Sequence, residues 1–72
     1  MLTKSQFTQK IAKRIKQLRE HKKISQEELA HEAGLYRTYV HHVEKGRYSP
    51  SGYVLYKIAQ ALGVSLRDLT TI

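Results

Sequence analysis

The stretch Ser25-Gln26-Glu27-Glu28-Leu29-Ala30-His31-Glu32-Ala33-Gly34-Leu35-Tyr36-Arg37-Thr38-Tyr39-Val40-His41-His42-Val43-Glu44-Lys45-Gly46 carries its own punctuation. Ser25 and Glu28 form a capping-box pattern, in which the hydroxyl accepts from the amide three residues on and the glutamate reaches back to the Ser25 amide. A helix that starts at Gln26 turns Leu29, Ala30 and Ala33 to one side. Gly34 stops it, because glycine enters the left-handed conformation that closes many helices, and Leu35 can fold back on the finished turn. A second short helix follows from Arg37, and Gly46 ends it in the same way. At about 100° per residue, Tyr36, Val40 and Val43 share a narrow arc that should anchor this helix to a core. Thr38, His41, His42 and Lys45 fall within about 100° on the opposite side, with Arg37 at the N-terminal edge.

Outward from this pair of helices, the same signals recur. Phe7, Ile11, Ile15 and Leu18 form one apolar stripe on a preceding helix, followed by the polar link from His21 to Ile24. Arg47-Tyr48-Ser49-Pro50 reads as a loop, since proline disfavours helix in the residue before it. Ser51 can cap a fourth helix that carries Val54, Leu55, Ile58, Ala59 and Leu62 and stops at Gly63. Ser65 and Asp68 suggest a further capping box, which opens a short helix with Leu66, Leu69 and Ile72. The expected helices are 5–20, 26–33, 37–45, 52–62 and 66–71. No segment alternates with period two, no repeat is present, and no linker is long enough to divide the chain. The expectation is an all-α, compact five-helix bundle forming a single domain over residues 1–72.

Composition narrows the function. Seventy-two residues leave no room for a catalytic domain beside this one. With no cysteine, there is neither a disulfide nor a thiolate metal site to staple it, so helix packing must supply the stability. No apolar run approaches the roughly 18 residues of a membrane span, and the polar N-terminus does not read as a signal peptide, so a cytoplasmic protein is expected. Thirteen Lys and Arg stand against six Asp and Glu, a formal net charge of +7. The excess is concentrated in Lys4, Lys10, Lys13, Arg14, Lys16, Arg19, Lys22 and Lys23, against Glu20 alone in the same stretch. Such a field attracts polyanions, although the same lysines would also serve a solvated helix face.

Two short helices joined by a tight glycine-containing turn form a helix-turn-helix unit, whose second helix enters the DNA major groove. The exposed face of the 37–45 helix suits a groove lined by acceptors and phosphates. Arg37 could fork onto guanine O6 and N7, Thr38 could donate to a base edge or touch a thymine methyl, and His41 and His42 could donate to bases or phosphates. Lys45 and Arg47 could grip phosphates, and Gln26 could offer its amide and a free backbone N–H to another. Taken singly, Arg37 and Lys45 are also ordinary surface charges, and Gln26 is an ordinary first-turn residue. As metal ligands the histidines are poorly arranged, since His41 and His42 diverge by about 100° and His31 lies on another helix. Neither metal nor cofactor is expected. No pocket with a matched acid, base or nucleophile is apparent, which argues against an enzyme. RNA is disfavoured because A-form duplexes hide their major groove.

The run Ser25-Gln26-Glu27-Glu28-Leu29-Ala30, Gly34-Leu35, Val40, Val43-Glu44-Lys45-Gly46 and Pro50-Ser51, with Ile58 through Leu66, resembles the Cro/phage-repressor type of helix-turn-helix domain. The resemblance spans about Ile11 to Leu69 and rests on several anchors agreeing in order. It implies a bundle of the lambda-repressor-like DNA-binding type, a sequence-specific transcription regulator that binds operator DNA as a homodimer. It also implies Gln26, Arg37, Thr38 and His41 as DNA contacts. One departure is Tyr36, where the family commonly has a small hydroxyl residue to cap the recognition helix. Within the family, Arg37-Thr38-Tyr39 and Glu44-Lys45-Gly46 with Pro50-Ser51 look most like the controller proteins of restriction–modification systems; short Cro-like repressors look similar.

One short recognition helix offers too little surface for tight specific binding, so two subunits reading half-sites about 34 Å apart are expected. Leu66, Leu69 and Ile72, near the end of a small chain, are the expected dimer interface, unless they close the monomer core. Glu27 and Glu32 could offer acidic contacts to RNA polymerase. An antitoxin-type module, which would bind a toxin protein and regulate its own operon, is the alternative from a different class.

Overall fold

The computed structural model describes residues 1–72 as five helices: α1 (Lys4–Lys22), α2 (Gln26–Ala33), α3 (Arg37–Glu44), α4 (Gly52–Leu62) and α5 (Leu66–Leu69). Four of them begin at a hydroxyl. Thr3, Ser25, Ser51 and Ser65 each sit in extended backbone and accept from the amide three residues on, which satisfies one free N–H of the first turn. Ser25 and Glu28 close the full capping box, with bonds of 3.0 Å in both directions. Thr3 and Gln6 form another, which moves the start of α1 one residue ahead of the expected 5. At Ser65 only the hydroxyl half is made; an aspartate is one methylene shorter than the glutamate that the reciprocal bond requires.

The C-terminal ends share one device. Lys23, Gly34, Gly46 and Gly63 all take positive φ, and the next residue in each case donates to the carbonyl five positions before it. Ile24, Leu35 and Val64 are the donors after Lys23, Gly34 and Gly63, and all three fold back half-buried against the core. At Lys23 no glycine marks the stop, so α1 runs on to Lys22, beyond the expected 20. α5 ends at Leu69 rather than 71. The Thr70 and Thr71 hydroxyls bond to the Leu66 and Arg67 carbonyls at 2.9 and 2.6 Å and compete there with continued helix.

One apolar cluster joins all five helices: Ile11 and Ile15 from α1, Leu29, Ala30 and Ala33 from α2, Val40 and Val43 from α3, Leu55, Ile58, Ala59, Ala61 and Leu62 from α4, and Leu69 from α5. Each fully buried side chain among them, such as Ile11, Ile15 or Ile58, contributes about 1.5–3 kcal/mol relative to exposure. α3 rests on α2 and α1, with α4 behind α2, so its outer side is left free at one end of a body measuring 33 × 23 × 21 Å. No helix is long and apolar enough to cross a membrane.

Two expectations are corrected here. Tyr36 does not anchor α3. Its backbone is extended (φ −82°, ψ 145°), so helical periodicity does not reach it, and it is 84% exposed. Leu35 and Tyr39 pack against the core on either side of it instead. Leu69 is fully buried within its own chain and is not available to a partner, whereas Leu66 and Ile72 remain 40% and 44% exposed.

Candidate nucleic-acid interface

α3 starts at Arg37 without a side-chain cap, as expected of a tyrosine in the preceding position. Its placement depends on a residue that the surface-directed reading of the helix passed over. Glu44 lies about 40° from Val40 on the helical wheel, on the core side, and is only 9% exposed. A carboxylate there needs a partner, and Arg19 of α1 supplies it with two bonds, Nε to Oε2 at 2.6 Å and Nη2 to Oε1 at 3.0 Å. The third guanidinium nitrogen donates to the Ile24 carbonyl at 2.8 Å, tying the link before α2 into the same joint. The hydrogen bond to Glu44 holds the Arg19 pKa above its ordinary value, although burial acts the other way. An acid on an apolar helical arc was the signal that could have found this pair.

The joint continues to the surface. The Gln26 amide nitrogen donates to Glu44 Oε1 at 3.1 Å, and the Gln26 amide oxygen faces His41 Nδ1 at 3.4 Å. Gln26, Arg37, Thr38, His41 and His42 line one groove between the N-terminus of α2 and the outer face of α3. Arg37, Thr38 and Lys45 are exposed, while Gln26, His41 and His42 are half-buried. Thus five of the seven residues named from sequence come together in one concavity, with Lys45 and Arg47 at the far end of α3.

Arg47 owes its position to the helix-closing device. It follows Gly46 as Ile24, Leu35 and Val64 follow their left-handed residues, and its N–H bonds to the His42 carbonyl at 3.0 Å. Here an arginine takes the apolar residue's place, so the turn sends a cation outward. Its Nη1 lies 3.0 Å from His42 Nδ1. The His42 ring also packs against Tyr48, with centroids 5.1 Å apart, and Tyr48 in turn packs on Tyr39 at 5.6 Å. Burial, and then the neighbouring Tyr48, raise the Tyr39 pKa, so the phenol stays neutral. The Gln9 amide of α1 donates to the Gly46 carbonyl at 3.1 Å and steadies the loop from below.

The basic residues of α1 divide into two groups. Arg19 is committed to Glu44, Arg14 donates twice to the Asp68 carbonyl of α5, and Lys22 donates to the Ala61 carbonyl of α4 and lies 3.8 Å from Glu32. These three fasten the bundle and do not belong to a free electrostatic face. Lys4, Lys10, Lys13 and Lys16 are exposed and form no ion pair.

Residues 15–69 match the helix-turn-helix family. The chain belongs to that family. It is 39% identical over 56 residues to the immunity repressor protein of Bacillus phage phi105, covering 78% of this chain and 39% of the repressor. It is 46% identical over 46 residues to the control protein C.BamHI of Bacillus amyloliquefaciens, covering 64% of this chain and 57% of that one. The crystal structure of the restriction–modification controller protein C.AhdI from Aeromonas hydrophila superposes with a TM-score of 0.84 at 40% identity, over 86% of this chain and 94% of that chain. A helix-turn-helix family transcriptional regulator from Vibrio cholerae superposes with a TM-score of 0.90 at 30% identity, over 93% of this chain and 38% of its own. The resemblance to phage repressors and controller proteins read from the motifs is borne out, as is the all-helical fold. This helix-turn-helix protein is a DNA-binding transcription regulator, and α2 and α3 form its eponymous unit.

Proposed function

We propose that this regulator binds a twofold-symmetric operator as a homodimer and works in the cytoplasm without catalysing a reaction. The observation that carries the reading is the groove lined by Gln26, Arg37, Thr38, His41 and His42 on a recognition helix braced from behind by Arg19 and Glu44. Eight residues of α3 span about 12 Å, the width of the B-DNA major groove. Arg37 at the helix start reaches a guanine edge, and Thr38 and His41 reach neighbouring bases. Lys45, Arg47 and the free N–H groups of the first turn of α2 hold phosphates on either side.

Leu66 and Ile72 supply the exposed apolar surface on which a second copy packs. Two recognition helices then read half-sites about 34 Å apart, which doubles a contact that is too small alone. Binding over a promoter element excludes polymerase. Binding just upstream would bring the exposed Glu27 and Glu32 of α2 toward RNA polymerase, and Glu27→Lys should then remove activation while leaving DNA affinity in place. Selection of bound duplexes from a random pool tests the main reading. A twofold-symmetric motif with two half-sites one helical turn apart is expected; salt-sensitive binding with no enriched motif would refute it.

A further inference from the structure

We infer that the adjacent histidines of the recognition helix are held in opposite tautomers, so that His41 presents a hydrogen-bond acceptor to the DNA and His42 a donor. The inference rests on the proposed DNA-reading role of α3 for its functional meaning, but the tautomers themselves follow from the free protein.

For His41 the constraint begins at Arg19. A guanidinium can only donate, so Glu44, which receives two bonds from it, is a carboxylate with acceptors alone. The Gln26 amide, 3.1 Å from Glu44 Oε1, must therefore turn its NH2 toward the carboxylate, because its oxygen there would face another acceptor. That fixes the other end. The Gln26 oxygen faces His41 Nδ1 at 3.4 Å, and a carbonyl oxygen can only accept, so the proton is on Nδ1. In a neutral ring Nε2 is then bare, on a side chain that lines the groove together with Arg37 and Thr38. This is the less common form of a free imidazole, so it requires a cause, and Gln26 is that cause.

His42 is constrained from the opposite side. Arg47 Nη1 sits 3.0 Å from its Nδ1, and since the guanidinium has nothing to accept with, Nδ1 is bare and Nε2 carries the proton. The two rings stand edge to face, with centroids 5.6 Å apart. The buried Arg19–Glu44 pair of α1 and α3 is thus relayed through Gln26 to His41.

The consequence is a base preference. In the major groove the donors are the exocyclic amines, N6 of adenine and N4 of cytosine, while guanine and thymine offer acceptors at their corresponding positions. A bare Nε2 on His41 selects adenine or cytosine on the strand it faces and is repelled by guanine O6. The Nε2–H of His42 donates to a phosphate or an acceptor edge.

Long-range 1H–15N correlation on the 15N-labelled full chain at pH 8 identifies the bare nitrogen of each ring, at a pH where an ordinary imidazole is neutral. The expected result is a bare Nε2 in His41 and a bare Nδ1 in His42. In Gln26→Met, with native amide dispersion as the folding control, His41 should revert to the common Nε2–H form. A proton on Nε2 of His41 in the wild type, or no change in Gln26→Met, would overturn the inference. Removing exocyclic amines one base at a time from a selected duplex, with purine for adenine and 2-pyrimidinone for cytosine, should find one position per half-site that weakens binding of the wild type but not of His41→Ala; no such position would overturn the base assignment. No enriched motif at all would refute the DNA-reading proposal and with it the base preference, with the tautomers decided by the spectra alone.

Discussion

Replacing Glu44 with alanine removes the carboxylate that both neutralises Arg19 and orients Gln26. Arg19 and Glu44 have side chains only 12% and 2% exposed, so the variant leaves a guanidinium largely out of water without its counter-ion. Breaking a buried pair from one side costs about 3–5 kcal/mol. Arg19 keeps its bond to the Ile24 carbonyl and retains a little solvent, which places the expectation at the lower end, about 3 kcal/mol. For a chain of this size, total stability is about 4–11 kcal/mol, so the loss is a large share of it. Thermal unfolding followed by circular dichroism at fixed protein concentration should show a midpoint lowered by about 12–24 °C. The double variant Arg19→Met/Glu44→Leu separates the charge from the space it fills: with neither ion left, it should recover most of the loss and be more stable than the single variant. A midpoint shift in Glu44→Ala equivalent to under about 1 kcal/mol, or a double variant no better than the single, would refute the reasoning that an unpaired ion is what destabilises the joint.

Further outcomes follow from particular contacts. Lys23 holds a left-handed conformation that costs an L-residue about 1–2 kcal/mol, so Lys23→Gly should raise stability by up to about 1 kcal/mol in urea denaturation once glycine's extra chain entropy is counted. Gly46→Ala should cost somewhat more than Gly63→Ala, about 1.5 against about 1 kcal/mol, because both have positive φ but only at Gly46 would a Cβ push aside the flexible end of Gln9 and break its bond to the Gly46 carbonyl. Arg47→Ala should flatten the plot of log affinity against log salt by about two in a dimer, one phosphate contact being lost per subunit; an unchanged slope would remove Arg47 from the backbone contacts. The raised Tyr39 pKa sets a pH dependence: the unfolded phenol ionises first, so its contribution to stability is intact below pH of about 10 and is lost as pH rises through the folded value. Tyr39→Phe should therefore show a shallower alkaline fall in unfolding midpoint than the wild type.

The fold was legible wherever a local rule acts alone. Ser25 with Glu28, Ser51, Gly34, Gly46 and Gly63 mark helix ends through bonds made within a few residues, and the structure makes those bonds. Legibility failed where a non-standard residue performs a standard task. Lys23 ends α1 without being glycine, and Gln6 completes a capping box that is more often read from glutamate. It failed again where periodicity was extended past a helix end, at Tyr36, and where a terminal apolar residue could not be assigned to core or surface from spacing alone, at Leu69. Within the candidate site, the outward residues of α3 could be grouped by angle, because a helix wheel needs no tertiary information. The Arg19–Glu44–Gln26–His41 chain spans three helices, and its members become neighbours only after the bundle closes. Charge counting places Arg14, Arg19 and Lys22 in a surface field, since a sequence does not show which cations meet a carbonyl or a carboxylate.

The most direct test of the central claim, that the α2–α3 groove reads DNA, is amide and side-chain chemical-shift mapping of the labelled protein titrated with a duplex chosen by selection. The largest shifts should fall on Gln26, Arg37, Thr38, His41, His42, Lys45 and Arg47, with the exposed Tyr53 and Tyr56 of α4 unmoved. Shifts centred on the free lysines of α1 or on α4, with α3 unchanged, would contradict it.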